Sequence, residues 1–323
     1  MHSSSSIYGN LAVLSGSANP ALAKEIAAEL GTELRHVEIT VFSNENIFMQ
    51  LEESVRSQDV FIIQPTSSPV NYNIMELLIM IDTVKRASAG RITAIMPFYS
   101  YARSDKKDKP RVPITARLIA DLVYAAGADR FMVVDLHAGQ IQGFFSMPGD
   151  EISAFPLICR YFQLKKIPNL VVVAADLGFA KKARNIAETL DAPVAFIEKR
   201  RDGGSTECIS VIGEVRGMNV LIVDDEVDRG GTIAGASRIL RQEGACDIYA
   251  AFVHATFSDG ALQRLIESNL KEIVCTNSEP MNPAKLLPNM TIISLGPLIA
   301  QVINAVHTGL SVGETLTQYA STY

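Results

Sequence analysis

Short runs of β-branched and other apolar residues alternate with segments of helical period from one end of this chain to the other. That alternation restricts the fold more than any other feature. Repeated strand-helix units bury their apolar surface by laying strands side by side in a mainly parallel sheet with helices on its faces, so the class is α/β. LAVLSG (11–16) reads as a strand entering a small-residue turn, and 20–30 as the helix that follows, closed by Gly31. Residues 73–87 set Ile74, Leu77, Leu78, Ile81 and Val84 on one helical face, and 92–98 is the next buried strand. Pro113 starts a helix with Ile114, Leu118, Leu122 and Ala126 as its apolar stripe, before 131–137 returns to the sheet. Further strands are expected at 170–174, 194–197, 220–223, 248–254, 272–275 and 291–294, with a last helix at 298–307.

A chain of 323 residues suggests two domains. Periodicity lapses among the turn formers of SMPGDEISAFP (146–156), which places the boundary near 149 and gives domains 7–149 and 150–318. The Ser3–Ser6 run reads as a tail and is left out of the fold. With 48% apolar and 20% charged residues the composition is that of a packed chain. A net charge of −6 argues against nucleic acid held by bulk positive charge, so any anion needs a local site. The cysteines at 159, 208, 246 and 275 form no CxxC or Cys/His cluster, which points to reduced, mostly buried thiols. No apolar run approaches the roughly 18 residues of a membrane span, and the start lacks the layout of a secretory signal, so no membrane association and a cytoplasmic location are expected.

The sharpest local signal is LIVDDEVDRGGTIAGASRIL (221–240), a strand ending in Asp224 and Asp225, a glycine loop and a helix. Paired carboxylates can accept hydrogen bonds from two adjacent hydroxyls, as on a ribose. Asp228, Arg229, Gly230, Gly231 and Thr232 offer open backbone N–H groups at a helix start for a phosphate. An ordinary turn with an Asp cap is the plainer reading, but it leaves three acids beside Gly-Gly-Thr without a use. YARSDKKDKPR (101–111) gathers Arg103, Lys106, Lys107, Lys109 and Arg111 around Asp105 and Asp108. Such a loop is either a solvated charged turn or a counter-charge for a polyphosphate. In VDLHAGQIQGFF (134–145), His137 follows Asp135 at a strand end.

The 221–240 stretch resembles the loop of proteins that bind phosphoribosyl pyrophosphate, with Arg229 where those proteins usually have Thr. Together with FSNENIFMQL (42–51), YARSDKK, RVPITARLIADL (111–122), DLHAGQIQGFF (135–145), AADLGFAKKAR (174–184), IEKRR (197–201), IGEVRGMNVLIVDDEVD (212–228) and VHATFSDGA (253–261), it makes nearly the whole chain similar to the ribose-phosphate diphosphokinase family. The resemblance implies two tandem phosphoribosyltransferase-like domains, the first with an ATP loop and the second with the ribose-phosphate loop. It implies a magnesium-dependent transferase of nucleotide biosynthesis, a kinase that moves the β,γ-diphosphoryl group of ATP to the C1 hydroxyl of ribose 5-phosphate and releases AMP. Lys199 and Arg201 match the catalytic pair, and His137 and Asp176 the magnesium-binding positions. Asp224 and Asp225 match the ribose-binding acids and residues 228–232 the phosphate loop. Phe42, Asn44 and Asn46, with Arg103, Ser104, Asp105, Lys106 and Lys107, fall on the ATP side, Phe42 by stacking on adenine. In this family the 42–51 segment reaches a neighbouring subunit's site, which implies a homo-oligomer, typically a hexamer.

The chain departs from the family pattern at Asn46 for the usual Glu, Ser104 for Gln, Ser146 for Asp and Arg229 for Thr. Two other readings share parts of the pattern. One is a phosphoribosyltransferase, which uses the same loop but consumes phosphoribosyl pyrophosphate with a base; the cationic loop of the first half argues against it. The other is a non-catalytic regulatory relative; the presence of Lys199, Arg201, His137, Asp176 and all three loop acids favours an enzyme.

Overall fold

The structure is a computed structural model that describes the backbone of residues 8–202 and 206–322, and their side chains outside 199–209 and 321–322. The chain divides into two compact units. The first contains β1 (Leu11–Ser15), α1 (Pro20–Glu29), β2 (Val37–Val41), β3 (Ile47–Leu51), β4 (Asp59–Ile63), α2 (Val70–Arg86), β5 (Arg91–Met96), α3 (Thr115–Ala126), β6 (Arg130–Val134) and β7 (Gly149–Ile152). Its sheet runs in the order β1-β4-β5-β6-β7 with every pairing parallel. β4 and β5 are buried at every position because helices cover both faces, which is why they read as unbroken apolar runs. β2 and β3 form a separate antiparallel ribbon.

The second unit contains α4 (Phe155–Lys165), β8 (Leu170–Ala174), α5 (Ala180–Thr189), β9 (Val194–Asp202), β10 (Thr206–Ile212), β11 (Asn219–Glu226), α6 (Gly231–Gln242), β12 (Ile248–His254), α7 (Ala261–Glu267), β13 (Glu272–Thr276) and β14 (Met290–Ile293). Its sheet has the order β10-β9-β8-β11-β12-β13-β14, parallel except for the β9/β10 edge. Both units are therefore mixed α/β, with largely parallel sheets between helices.

The chain then returns to the first unit with α8 (Gly296–Thr308) and α9 (Val312–Thr322). Residues 150–153, 278–280 and 294–322 thus group with the first unit, whereas the lapse in periodicity assigned 150–318 to the second. Two physical facts account for this. The turn-rich stretch at 146–156 hides β7, a four-residue edge strand too short to show alternation, which pairs with β6. The last helices carry partners for a buried charge: Arg91 donates to Asp59 through Nε (2.8 Å) and Nη2 (2.6 Å) and to the Val306 carbonyl (3.0 Å), while His307 Nδ1 lies 2.8 Å from Asp59 Oδ2.

The α3 stripe also differs from expectation. The buried residues are Ala116, Ile119, Ala120 and Val123, and Leu118 is 53% exposed, with Leu122 exposed too. Two adjacent stripes of this helix are apolar, so periodicity cannot choose between them. The stripe with Ala116 and Ala120 wins because small side chains permit close approach of the helix to its neighbours. Cys159 and Cys275 are buried, which pushes both thiols up to about 12; Cys246 is exposed, and the Cys208 side chain lies outside the described residues. Among the described residues no helix is long and apolar enough to cross a membrane.

Candidate active site

In the second unit, β11 lies between β8 and β12, so its carboxyl end opens at mid-sheet, where open α/β sheets bind ligands. Buried Leu221, Ile222 and Val223 fix the strand, and the chain then delivers Asp224, half-buried, and Asp225, buried. The Asp225 amide donates to Asp224 Oδ1 at 2.9 Å. Burial pushes the Asp224 carboxyl well above the usual carboxylate range; the charge of Asp225, a hydrogen bond with its carboxyl group, and the charge of Asp176 push the same way. Asp176 follows β8, whose Ala174 pairs with Val223, and its Oδ1 accepts from the Phe179 amide at 3.1 Å. The structure thus brings Asp176, Asp224 and Asp225 together within one unit. Their oxygens are hard donors and their mutual repulsion favours a cation. Among the described residues no group of three or more His, Cys, Asp or Glu is placed to enclose a metal. A magnesium ion, which is commonly bound by only one or two carboxylates, is compatible with this donor set.

The loop after the acids ends at Gly230, whose φ of +71° lies in the left-handed region and where a Cβ would stand 3.2 Å from the Ala261 carbonyl oxygen. Gly231 opens α6 on open space. The first amides of this helix have no intrahelical acceptor and sit at the positive end of its dipole, so with Arg229 exposed beside them the loop can take an anion. Asp228 and Thr232 are half-buried within the same turn.

In the first unit, β6 ends at Val134 and the chain turns at Asp135, buried, with φ +37°. Its carboxylate accepts from Ser153 Oγ at 2.9 Å. The Leu136 amide donates to Glu151 Oε1 at 2.9 Å, and Gln142 Nε2 donates to the other Glu151 oxygen. His137 is exposed on this clamped stretch. The cationic loop is anchored as well. Ser104 caps α3, its Oγ accepting from the Thr115 amide and its carbonyl from the Ala116 amide, both at 3.2 Å. Asp105 is buried and accepts from Gln140 Nε2 at 2.8 Å, and Tyr101 Oη donates to Asn71 Oδ1 at 2.7 Å. These anchors leave Arg103, Lys106, Lys107, Lys109 and Arg111 exposed. On the β2/β3 ribbon the turn closes by the Phe42 amide on the Asn46 carbonyl (2.9 Å), Asn44 Oδ1 accepts from the Asn46 amide (3.3 Å), and Phe42 is 51% exposed.

Phe42, the cationic loop and His137 belong to the first unit, and Asp176 and the 224–232 stretch to the second. Lys199 and Arg201 stand on β9 opposite Ile209 and Glu207 of β10, and their side chains lie outside the described residues. Sequence reasoning missed Gln140 and Glu151. Gln140 lies inside a quoted motif and Glu151 inside the turn-rich stretch, and nothing in the local sequence marks Gln140 as the partner of Asp105 or Glu151 as that of Leu136 and Gln142.

The chain is similar to known proteins along most of its length. Residues 11–127 match the family described as the N-terminal domain of ribose phosphate pyrophosphokinase, and residues 200–317 match the phosphoribosyl synthetase-associated domain. The ribose-phosphate pyrophosphokinase of Caldanaerobacter subterraneus subsp. tengcongensis is 45% identical over 310 residues, 95% of this chain and 98% of the relative. Ribose-phosphate pyrophosphokinase 1, chloroplastic, of Oryza sativa subsp. japonica is 45% identical over 94% of this chain and 78% of its own length. The crystal structure of phosphoribosylpyrophosphate synthetase from Mycobacterium smegmatis superposes with a TM-score of 0.88 at 44% identity, covering 92% of this chain and 98% of that one. With two family matches, near-complete coverage and a shared fold, this chain belongs to the ribose-phosphate pyrophosphokinase family of enzymes.

Proposed function

We propose that the chain makes phosphoribosyl pyrophosphate by moving the β,γ-diphosphoryl group of ATP to ribose 5-phosphate. The observation that carries this reading is the acid pair Asp224/Asp225 at the end of β11, followed directly by an anion-ready turn into α6. A sugar bearing vicinal hydroxyls and a terminal phosphate matches both parts at once. Asp224 and Asp225 accept from the ribose hydroxyls, and residues 228–232 hold the 5-phosphate through backbone amides, with Arg229 adding charge. The C1 oxygen attacks the β-phosphorus, its proton is lost, and the bond between that phosphorus and the α,β-bridging oxygen breaks, so AMP leaves with the bridging oxygen. Lys199 and Arg201 act on the charge of the transferred group, and the reaction draws chiefly on positioning and charge neutralisation.

Arg103, Lys106 and Lys107 meet the triphosphate, on a loop whose shape Ser104 and Asp105 maintain through the cap on α3 and the Gln140 contact. Phe42 stacks on adenine, with Asn44 and Asn46 beside it. By family resemblance His137 and Asp176 would each offer a ligand to magnesium, which supplies charge neutralisation for the phosphates. The exposed apolar tip of the ribbon, Val41, Phe42 and Phe48, supports assembly of several copies, a hexamer by family resemblance. Incubation of the purified protein with magnesium, ATP and ribose 5-phosphate tests the reading. AMP and phosphoribosyl pyrophosphate are expected in equal amounts without any nucleobase; formation of ADP, or a strict requirement for a base, would refute it.

A further inference from the structure

The anion-ready turn is held from behind by one segment of the chain. The carbonyl of Val227 accepts from the Phe257 amide (3.2 Å), that of Asp228 from the Ser258 amide (3.0 Å) and Ser258 Oγ (3.5 Å), and that of Arg229 from Arg264 Nη1 (2.9 Å). Three successive carbonyls are thus turned toward residues 257–264. In a trans peptide the C=O and the following N–H point in opposite directions. Fixing these carbonyls therefore directs the N–H groups of Asp228, Arg229 and Gly230 to the other face of the turn, continuous with the first amides of α6. Two of the three ties are backbone to backbone, and the last, at the peptide next to left-handed Gly230, is made by a side chain. Gly260, with φ +79°, belongs to the same arrangement, since a Cβ there would stand 3.2 Å from Arg264 Nη1.

We infer that Arg264 is a positioning residue for the ribose-phosphate site: it holds the Arg229–Gly230 peptide so that the Gly230 amide faces the 5-phosphate, and its charge strengthens that amide as a donor. The first effect is orientation. The second is polarisation, because a guanidinium on a carbonyl oxygen withdraws electron density through the peptide and makes its N–H more acidic. Arg264 is exposed on α7 and touches the turn from the side away from the ligand face, so it acts through the peptide and not by contact with the phosphate.

The inference rests on the proposed binding of ribose 5-phosphate by this turn, and titration calorimetry of ribose 5-phosphate into the wild-type protein and its variants separates the two. Arg264→Ala is expected to weaken ribose 5-phosphate binding about tenfold, the scale of one hydrogen bond from a charged donor. It should leave the KM for ATP within about two-fold. Arg264→Lys, which keeps the charge and loses the planar fork, should fall between the two. Unchanged affinity in Arg264→Ala, or an equal loss for ATP and ribose 5-phosphate, overturns the inference while the reading of the site stands. Absence of binding to the wild-type protein overturns that reading and the inference with it.

Discussion

Lys199 and Arg201 stand two apart on β9. Groups that act on charge developing in the transferred diphosphoryl group lower kcat when removed. Lys199→Ala and Arg201→Ala are each expected to reduce kcat by about 10²–10³ with the molecular mass by light scattering unchanged; unchanged turnover in both would reject the assignment. Gly230 gives a different kind of prediction. Alanine in its left-handed conformation costs about 1–2 kcal/mol, and its Cβ would press on the Ala261 carbonyl at 3.2 Å. Gly230→Ala should therefore lower stability by that amount in urea titrations and raise the KM for ribose 5-phosphate more than that for ATP. At this scale the chain was legible where chemistry is local. Asp224, Asp225 and the glycine turn are adjacent in sequence, whereas the contacts that hold the turn, from Ser258 and Arg264, are reached only through loop packing.

Elements were legible where one face is apolar and the other is not. β8 and β12 appear with the bounds the sequence predicts, and α2 buries the expected Ile74, Leu77, Ile81 and Val84. The α3 stripe was misassigned because Ile114, Leu118 and Leu122 are as apolar as the residues that are buried, and β7 escaped notice for lack of length. At the β13/β14 edge, an interaction invisible in sequence ties α4 to the sheet. Glu272 accepts from Tyr161 Oη (2.5 Å), Thr291 Oγ1 (3.0 Å) and Lys165. Burial works to raise the Glu272 carboxyl, but the hydrogen bonds from Lys165, Tyr161 and Thr291 outweigh it and hold the group below its usual range. A carboxylate lowered in the folded state stabilises the fold above its unfolded pKa and loses that contribution as pH falls through the folded one. Glu272→Gln should cost about 1 kcal/mol at neutral pH, reduced from a buried pair's worth because Lys165 is partly exposed. The gap between variant and wild type, followed by urea denaturation, should close as the solution is acidified below the ordinary carboxylate range.

Across the whole molecule, the pairing of Asp59 with Arg91 and His307 joins residues 248 apart in sequence. Asp59 is fully buried, so its removal leaves a guanidinium inside the first unit without its carboxylate. Asp59→Ala is expected to cost about 3–5 kcal/mol of stability, read from the urea midpoint of the full chain. Two domains were visible in length and rhythm, but not the exchange of the last segment, because α8 has the same apolar period whichever unit it covers. That exchange bears on synthesis. Strands β1 to β7 precede α8, which joins their unit only after the second unit has been translated. The amino-terminal half therefore stays open as a nascent chain while the second unit, whole between 154 and 293 apart from residues 278–280, can close ahead of it. Loss of α8 and α9 would consequently strike a unit whose strands were all translated before the second unit.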